Sequence, residues 1–151
     1  MSGAKRILLV EDNSRDVELT LTSLSHAKLD QEVMVVNDGA EAIEYLHRAG
    51  RFAQHPPGLP AVVLLDIKMP KVDGLAVLRH IRGDSFLQTI PVVMLTSSRE
   101  DRDLDESYRL GANAFVVKPL AFKQFAETVN TLGSFWFQLN EPPPGCLPRT
   151  Q

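Results

Sequence analysis

Four short runs of apolar residues constrain this chain more than any other feature. Ile7–Val10, Ala61–Leu65, Val92–Leu95 and Phe115–Val117 are rich in Val, Ile and Leu and do not alternate with polar residues. A strand with one face in water alternates. A strand buried on both faces does not, and burial on both faces points to a parallel sheet covered by helices. A fifth run, Glu32–Val36, is more polar, as an edge strand is. Between the runs the apolar period changes to that of a helix. Ser14–Ser25 places Val17, Leu21 and Leu24 on one face behind Asn13 or Ser14 as cap. Gly39–Arg48 follows Asp38, Leu75–Arg82 ends at Gly83, and Arg99–Leu110 ends at Gly111. Phe122–Leu132 sets Phe122, Phe125, Val129 and Leu132 at helical spacing.

Strand and helix thus alternate five times. The predicted fold is α/β: a flavodoxin-like, doubly wound, five-stranded parallel sheet of order 2-1-3-4-5 with five helices. At 151 residues the chain is one domain, placed at 1–140. Residues 141–151 hold four of the ten prolines and are expected to form an extended tail. Arg51–Pro60 is a loop. Sixteen basic against 19 acidic residues provide no broad basic field for nucleic acid. The single cysteine, Cys146, rules out an internal disulfide and a cysteine-based zinc site. No apolar run approaches the ~18 residues of a membrane span, and the N-terminus lacks a signal peptide, so the expected location is cytoplasmic.

Sheets of this kind bind ligands at the carboxyl ends of their strands. Glu11 and Asp12 follow the first strand, Asp66 the third, Thr96 the fourth and Lys118 the fifth. With strands one and three adjacent, Glu11, Asp12 and Asp66 meet in one pocket. Three carboxylates repel one another unless a cation is present, and Mg²⁺ is a hard cation that suits carboxylates, a carbonyl and retained waters. Together with Lys118 it brings the pocket near neutrality. One Asp after a strand is ordinarily a turn residue or cap; the whole set at four strand ends is not.

These residues fall in motifs: Val10-Glu11-Asp12-Asn13, Leu64-Leu65-Asp66-Ile67-Lys68-Met69-Pro70, Asp73-Gly74, Met94-Leu95-Thr96-Ser97, Gly111-Ala112-Asn113 and Val117-Lys118-Pro119. The chain resembles the receiver domain of two-component response regulators from about Lys5 to Leu132. The spacings of 54 residues from Asp12 to Asp66, 30 to Thr96 and 22 to Lys118 fit, the first lengthened by the Arg51–Pro60 loop. The resemblance implies that Asp66 accepts a phosphoryl group from a histidine kinase. It implies that Glu11, Asp12, Asp66 and the backbone carbonyl of Lys68 hold Mg²⁺. Thr96 then hydrogen-bonds the phosphoryl group, Lys118 pairs with it, Thr96 and Phe115 form the switch, and Lys118–Pro119 is cis. Lys68 and Ser98 occupy the positions that tune access of water. Phe115 is Phe where many relatives have Tyr. The long loop and the ending Leu132-Gly133-Ser134-Phe135-Trp136-Phe137 look like the stand-alone regulators of phytochrome-type kinases.

No output domain fits after Leu132, so output is expected by protein contact. Phe135, Trp136 and Phe137 cannot all face one side of a helix. At least one is expected at the surface, which predicts a homodimer interface. Arg99, Asp101, Arg102, Asp103, Asp105 and Glu106 read as a solvated helix face. His26, His47, His55 and His80 share neither a strand end nor ligand spacing and read as solvated surface. An aspartate-nucleophile phosphatase, the alternative function, wants an acid two residues after its nucleophile, where Lys68 stands. A flavin carrier wants a hydroxyl- and Gly-rich loop where Glu11-Asp12 would repel a phosphate.

Overall fold

The computed structural model describes residues 5–146. Five parallel strands, β1 (Ile7–Val10), β2 (Val33–Val36), β3 (Val62–Leu65), β4 (Val92–Thr96) and β5 (Ala114–Val117), lie in the order β2-β1-β3-β4-β5. The polar run is indeed an edge strand: β2 pairs only with β1. Five α-helices alternate with the strands: α1 (Ser14–His26), α2 (Gly39–Leu46), α3 (Gly74–Gly83), α4 (Asp101–Arg109) and α5 (Phe122–Leu132). Three have side-chain caps that fix where they begin. Asn13, Asp38 and Asp73 accept from the backbone N–H of Asp16, Glu41 and Ala76 at 3.0, 2.9 and 2.9 Å.

The unbroken apolar runs are explained by the two layers that cover the sheet. Leu8, Val10, Val63, Leu65 and Met94 pack against Ala42, Leu46, Leu78 and Ile81 of α2 and α3. Their strand neighbours Ile7, Leu9, Val62, Leu64 and Val93 point the other way, onto Leu24, Phe125, Val129 and Leu132 of α1 and α5. Successive side chains of a strand face opposite sides, so every position of β1 and β3 needs an apolar residue.

After α5 the chain does not leave the domain. Gly133–Leu139 continues as a π-helix whose wider turn redistributes the three aromatics. Phe137 turns into the α1/α5 layer and is buried, Trp136 is half-buried against that layer, and Phe135 stays exposed with its ring edge-on to Trp136. The reading of all three as interface residues is therefore corrected for Phe137. Gly133 lets this happen, because a Cβ there would lie 2.9 Å from Leu24 Cδ2. Lys5 Nζ donates to the Phe137 carbonyl at 3.1 Å, satisfying one acceptor that the helix end leaves free.

The expected extended tail also turns back. Pro144–Cys146 forms a turn of 3₁₀-helix, and Cys146 is fully buried beside Phe52 and Leu59 in the α2/α3 layer. The Leu59 N–H donates to the Gly145 carbonyl at 3.0 Å. The long loop that receives it is held by the Arg6 guanidinium, which donates to the carbonyls of Pro56, Pro57 and Gly58. A small apolar thiol repays its burial where a run of prolines alone has nothing to bury. Residues 147–151, the rest of the expected tail, lie outside the described residues.

Burial pushes the Cys146 thiol up to about 11, so little thiolate exists at pH 8. The native protein should react with Ellman's reagent far more slowly than the urea-unfolded chain. Equal rates for the two would contradict the buried docking of Cys146.

Candidate functional site

All five strands end on one edge of the sheet, and the ladder of backbone hydrogen bonds runs on into the residues that follow. The Asp66 N–H donates to Val10 O at 3.1 Å, Glu11 N–H to Val36 O at 3.0 Å and Lys118 N–H to Thr96 O at 2.8 Å. Glu11, Asp66 and Lys118 are thereby held as rigidly as strand residues. Gly74 closes the turn after β3. Its N–H donates to Ile67 O at 2.8 Å, and a Cβ would sit 2.0 Å from the Asp66 carbonyl oxygen, so no other residue fits.

The expected constellation assembles. Lys118 Nζ donates to Glu11 Oε1 at 2.5 Å and to Asp66 Oδ2 at 3.1 Å, and all three residues are buried. Asp12 is exposed at the mouth, and Glu11, Asp12 and Asp66 each offer a carboxylate oxygen within 4.8 Å of the others. The other Asp66 oxygen accepts from the Ile67 N–H at 2.7 Å, which fixes the carboxylate plane.

One partner was absent from the expected set. Asp16 accepts from Lys118 Nζ at 2.8 Å. It lies in the first turn of α1, one turn beyond Asp12, and the Asn13 cap sets that turn at the mouth. The signal was the spacing Asp12-x-x-x-Asp16 at the start of a helix that opens from a site strand. With Asp16 the cleft holds four carboxylates and one buried ammonium; its other lysine, Lys68, is exposed and lies 3.7 Å from Asp103. That donor set fits a hard divalent cation: three carboxylates converge and only one buried positive charge answers them.

The remaining expected residues are distributed unevenly. Lys68 lines the cleft, and Ser14 and Ser97, not Thr96, are the hydroxyl residues in its wall. Thr96 is fully buried, and its Oγ1 accepts from the Ser98 N–H at 3.2 Å. Phe115 is half-buried against the α2/α3 layer. Lys118–Pro119 is trans, not cis; trans is the intrinsic preference of an X–Pro bond. The charged face of α4 also needs correction at one position. Asp103 is buried, accepts from Ser98 Oγ at 2.6 Å and lies 3.7 Å from Lys68 Nζ, while Asp101, Arg102 and Asp105 are exposed. Nor are the histidines all isolated: the Nε2 atoms of His47 and His80 are 2.8 Å apart.

Desolvation is the main force on Glu11. It outweighs the Lys118 hydrogen bond and, with the negative Asp66 nearby, lifts the carboxyl to about 7. Burial works against the charge of Lys118, but its hydrogen bonds to Asp16 and Glu11 and the charge of Asp66 prevail and raise it. The ammonium is permanent. For Glu11 the raised folded value means that the native state holds the proton from pH 4.5 to about 7 while the unfolded chain has lost it. Its contribution to stability is full below pH 4.5 and is lost as pH rises through about 7. Without divalent cations, Glu11→Gln should therefore exceed wild type in stability at pH 8, with the two curves converging towards pH 4.5. A constant gap across that range, measured by urea unfolding, would refute this.

The family model described as the response regulator receiver domain matches residues 7–130. Response regulator Rcp1 of Synechocystis sp. is 36% identical over 134 residues, which span 89% of this chain and 90% of Rcp1. The Mn²⁺-bound form of Rcp1 superposes with a TM-score of 0.85 at 35% identity, covering 92% of this chain and 99% of that one. The phosphorylated cyanobacterial phytochrome response regulator RcpA superposes with a TM-score of 0.87 at 36% identity over 93% of this chain and 99% of that one. The bacteriophytochrome response regulator RtBRR is 57% identical, with a TM-score of 0.74, over 95% of this chain and 87% of that one.

Proposed function

The chain belongs to the response regulator receiver domain family of two-component signalling, and from that premise we propose that Asp66 is its phosphoacceptor and a phytochrome-type histidine kinase in the cytoplasm its donor. The observation that carries the reading is the Asp66 carboxylate, fixed by the Ile67 N–H and facing the Lys118 ammonium at the one cleft where the strand ends meet. The identity of 57% with a bacteriophytochrome response regulator favours that class of kinase. The phosphatase alternative has no comparable support, since Lys68 stands where it needs an acid.

The step is an in-line exchange. An Asp66 oxygen attacks phosphorus, the N–P bond of the kinase phosphohistidine breaks, and its electron pair returns to the imidazole. The transition state spreads negative charge over the phosphoryl oxygens, so fixed positive charge does most of the work. Lys118 provides one such charge from within the chain. Glu11, Asp12, Asp66 and the Lys68 carbonyl are the groups that would hold Mg²⁺, which when bound supplies further charge neutralisation to the phosphoryl group. Water later hydrolyses the acyl phosphate. Thr96 and Phe115 form the switch: the Thr96 hydroxyl, whose oxygen accepts from the Ser98 N–H, donates its own proton to the phosphoryl group, and the half-buried Phe115 turns further in.

Acetyl phosphate with Mg²⁺ should add one hydroxylamine-sensitive phosphoryl group to the chain, seen by intact mass, and Asp66→Asn should abolish it. Labelling of that variant at the wild-type rate would refute Asp66 as acceptor.

Output runs through a homodimer in this reading. Phe135 is 47% exposed and Leu139 71%, beside the half-buried Trp136. At the other end of α5, Leu120 and Phe122 are exposed as well. Aromatics so placed anchor interfaces. Light scattering should report a dimer for wild type and a shift towards monomer for Phe135→Ala with Trp136→Ala. A wild type that stays monomeric at high micromolar concentration, with and without acyl phosphate, would remove the dimer from the proposal.

A further inference from the structure

The opposite edge of the sheet carries a second group of ligating side chains. Both α2 and α3 start at the carboxyl edge and run back along the same face, so their ends meet at the amino edge, away from the acidic cleft. His47 follows the last residue of α2, His80 lies in the last turn of α3 and Asp84 follows it. The two Nε2 atoms are 2.8 Å apart, and Asp84 Oδ2 lies 3.6 Å from that of His47. The three ligand atoms all fall within 4.8 Å of one another.

The carboxylate is set for this arrangement. Asp84 Oδ1 accepts from the backbone N–H of Phe86 at 2.8 Å and of Leu87 at 3.2 Å, which leaves Oδ2 turned to the imidazoles. The rings meet edge-on, at 82° with centroids 5.1 Å apart, so their nitrogens rather than their faces converge. A hydrogen bond between two neutral imidazoles would use the nitrogens alone and leave the aligned carboxylate oxygen without a role.

We propose that His47, His80 and Asp84 form a second cation site, for a divalent transition ion of the imidazole-preferring class, with Zn²⁺ as its probe. Two imidazoles and one carboxylate are a common zinc donor set and leave a fourth position for water or another ligand. Two nitrogens each ~2.1 Å from a tetrahedral ion lie about 3.4 Å apart. The pair therefore needs to open by only about half an ångström, and His47, 36% exposed, is free to make that movement. Mg²⁺ prefers oxygen ligands and does not compete here. The ion would tie the end of α2 to the end of α3, and binding only the folded chain it would stabilise it by mass action.

The test uses the full chain in excess Mg²⁺, so that the acidic cleft is already supplied. Zn²⁺ titrated into it calorimetrically should bind with one ion per chain and raise the melting temperature. His47→Gln and His80→Gln, each shown to be folded by normal phosphoryl labelling, should lose affinity by more than about tenfold, the lower bound for losing even an outer-sphere partner. Asp12→Ala should bind Zn²⁺ as wild type does. Absence of Zn²⁺ binding under excess Mg²⁺, or binding unchanged in both histidine variants, would overturn the proposal.

Discussion

A single buried ammonium organises the functional edge of this protein. Lys118 Nζ reaches carboxylates after β1, in α1 and after β3, which lie 107, 102 and 52 residues before it in the sequence. Burying charges is costly unless each is paired, so the edge is stable only while these segments keep their places. The cost is visible in Glu11, whose carboxyl is lifted to about 7. It is also what makes the cleft receptive to more positive charge. A protein that had neutralised its own acids would have no use for a divalent cation, and this one leaves them in excess.

Strand burial is what delivers the ammonium. β1 and β3 are apolar at every position because helices cover both faces, and that same covering fixes the register that places Val10 opposite Leu65. The carboxylates follow one residue later on each strand. The tight turn at Gly74 then brings the chain back across Asp66. Core and site are thus one structure: a slip of one residue in register would exchange the two faces of a strand and carry its terminal acid out of the cleft.

The strands, their order and the acids and lysine that gather at the strand ends were legible because each rests on local chemistry: unbroken Val/Ile/Leu runs, Asn and Asp caps, and polar residues closing apolar runs. Thr96, Asp66 and Lys118 each sit where a run stops. Features set by contacts distant in sequence were not legible. Asp16 looked like any acid in a first helical turn until α1 was placed over the cleft. Asp103 belongs to a run of charges that reads as a wet face, and only Ser98 and Lys68 bring it inside. His47 and His80 are 33 residues apart on different helices. Phe137 and Cys146 are buried because a π-helix and a turn after consecutive prolines fold back, and neither leaves a periodic trace.

The turn at Pro144–Cys146 fixes more than a thiol. Gly145 is clasped by Leu59, just before β3 begins, so the chain arrives at the amino edge of the sheet while the acidic cleft lies at the carboxyl edge. A fluorophore or fusion partner joined at this turn would thus sit at the pole opposite the acidic cleft. The fold comes with a handle by which it can be held, observed or tethered while its reactive end stays open to a visitor.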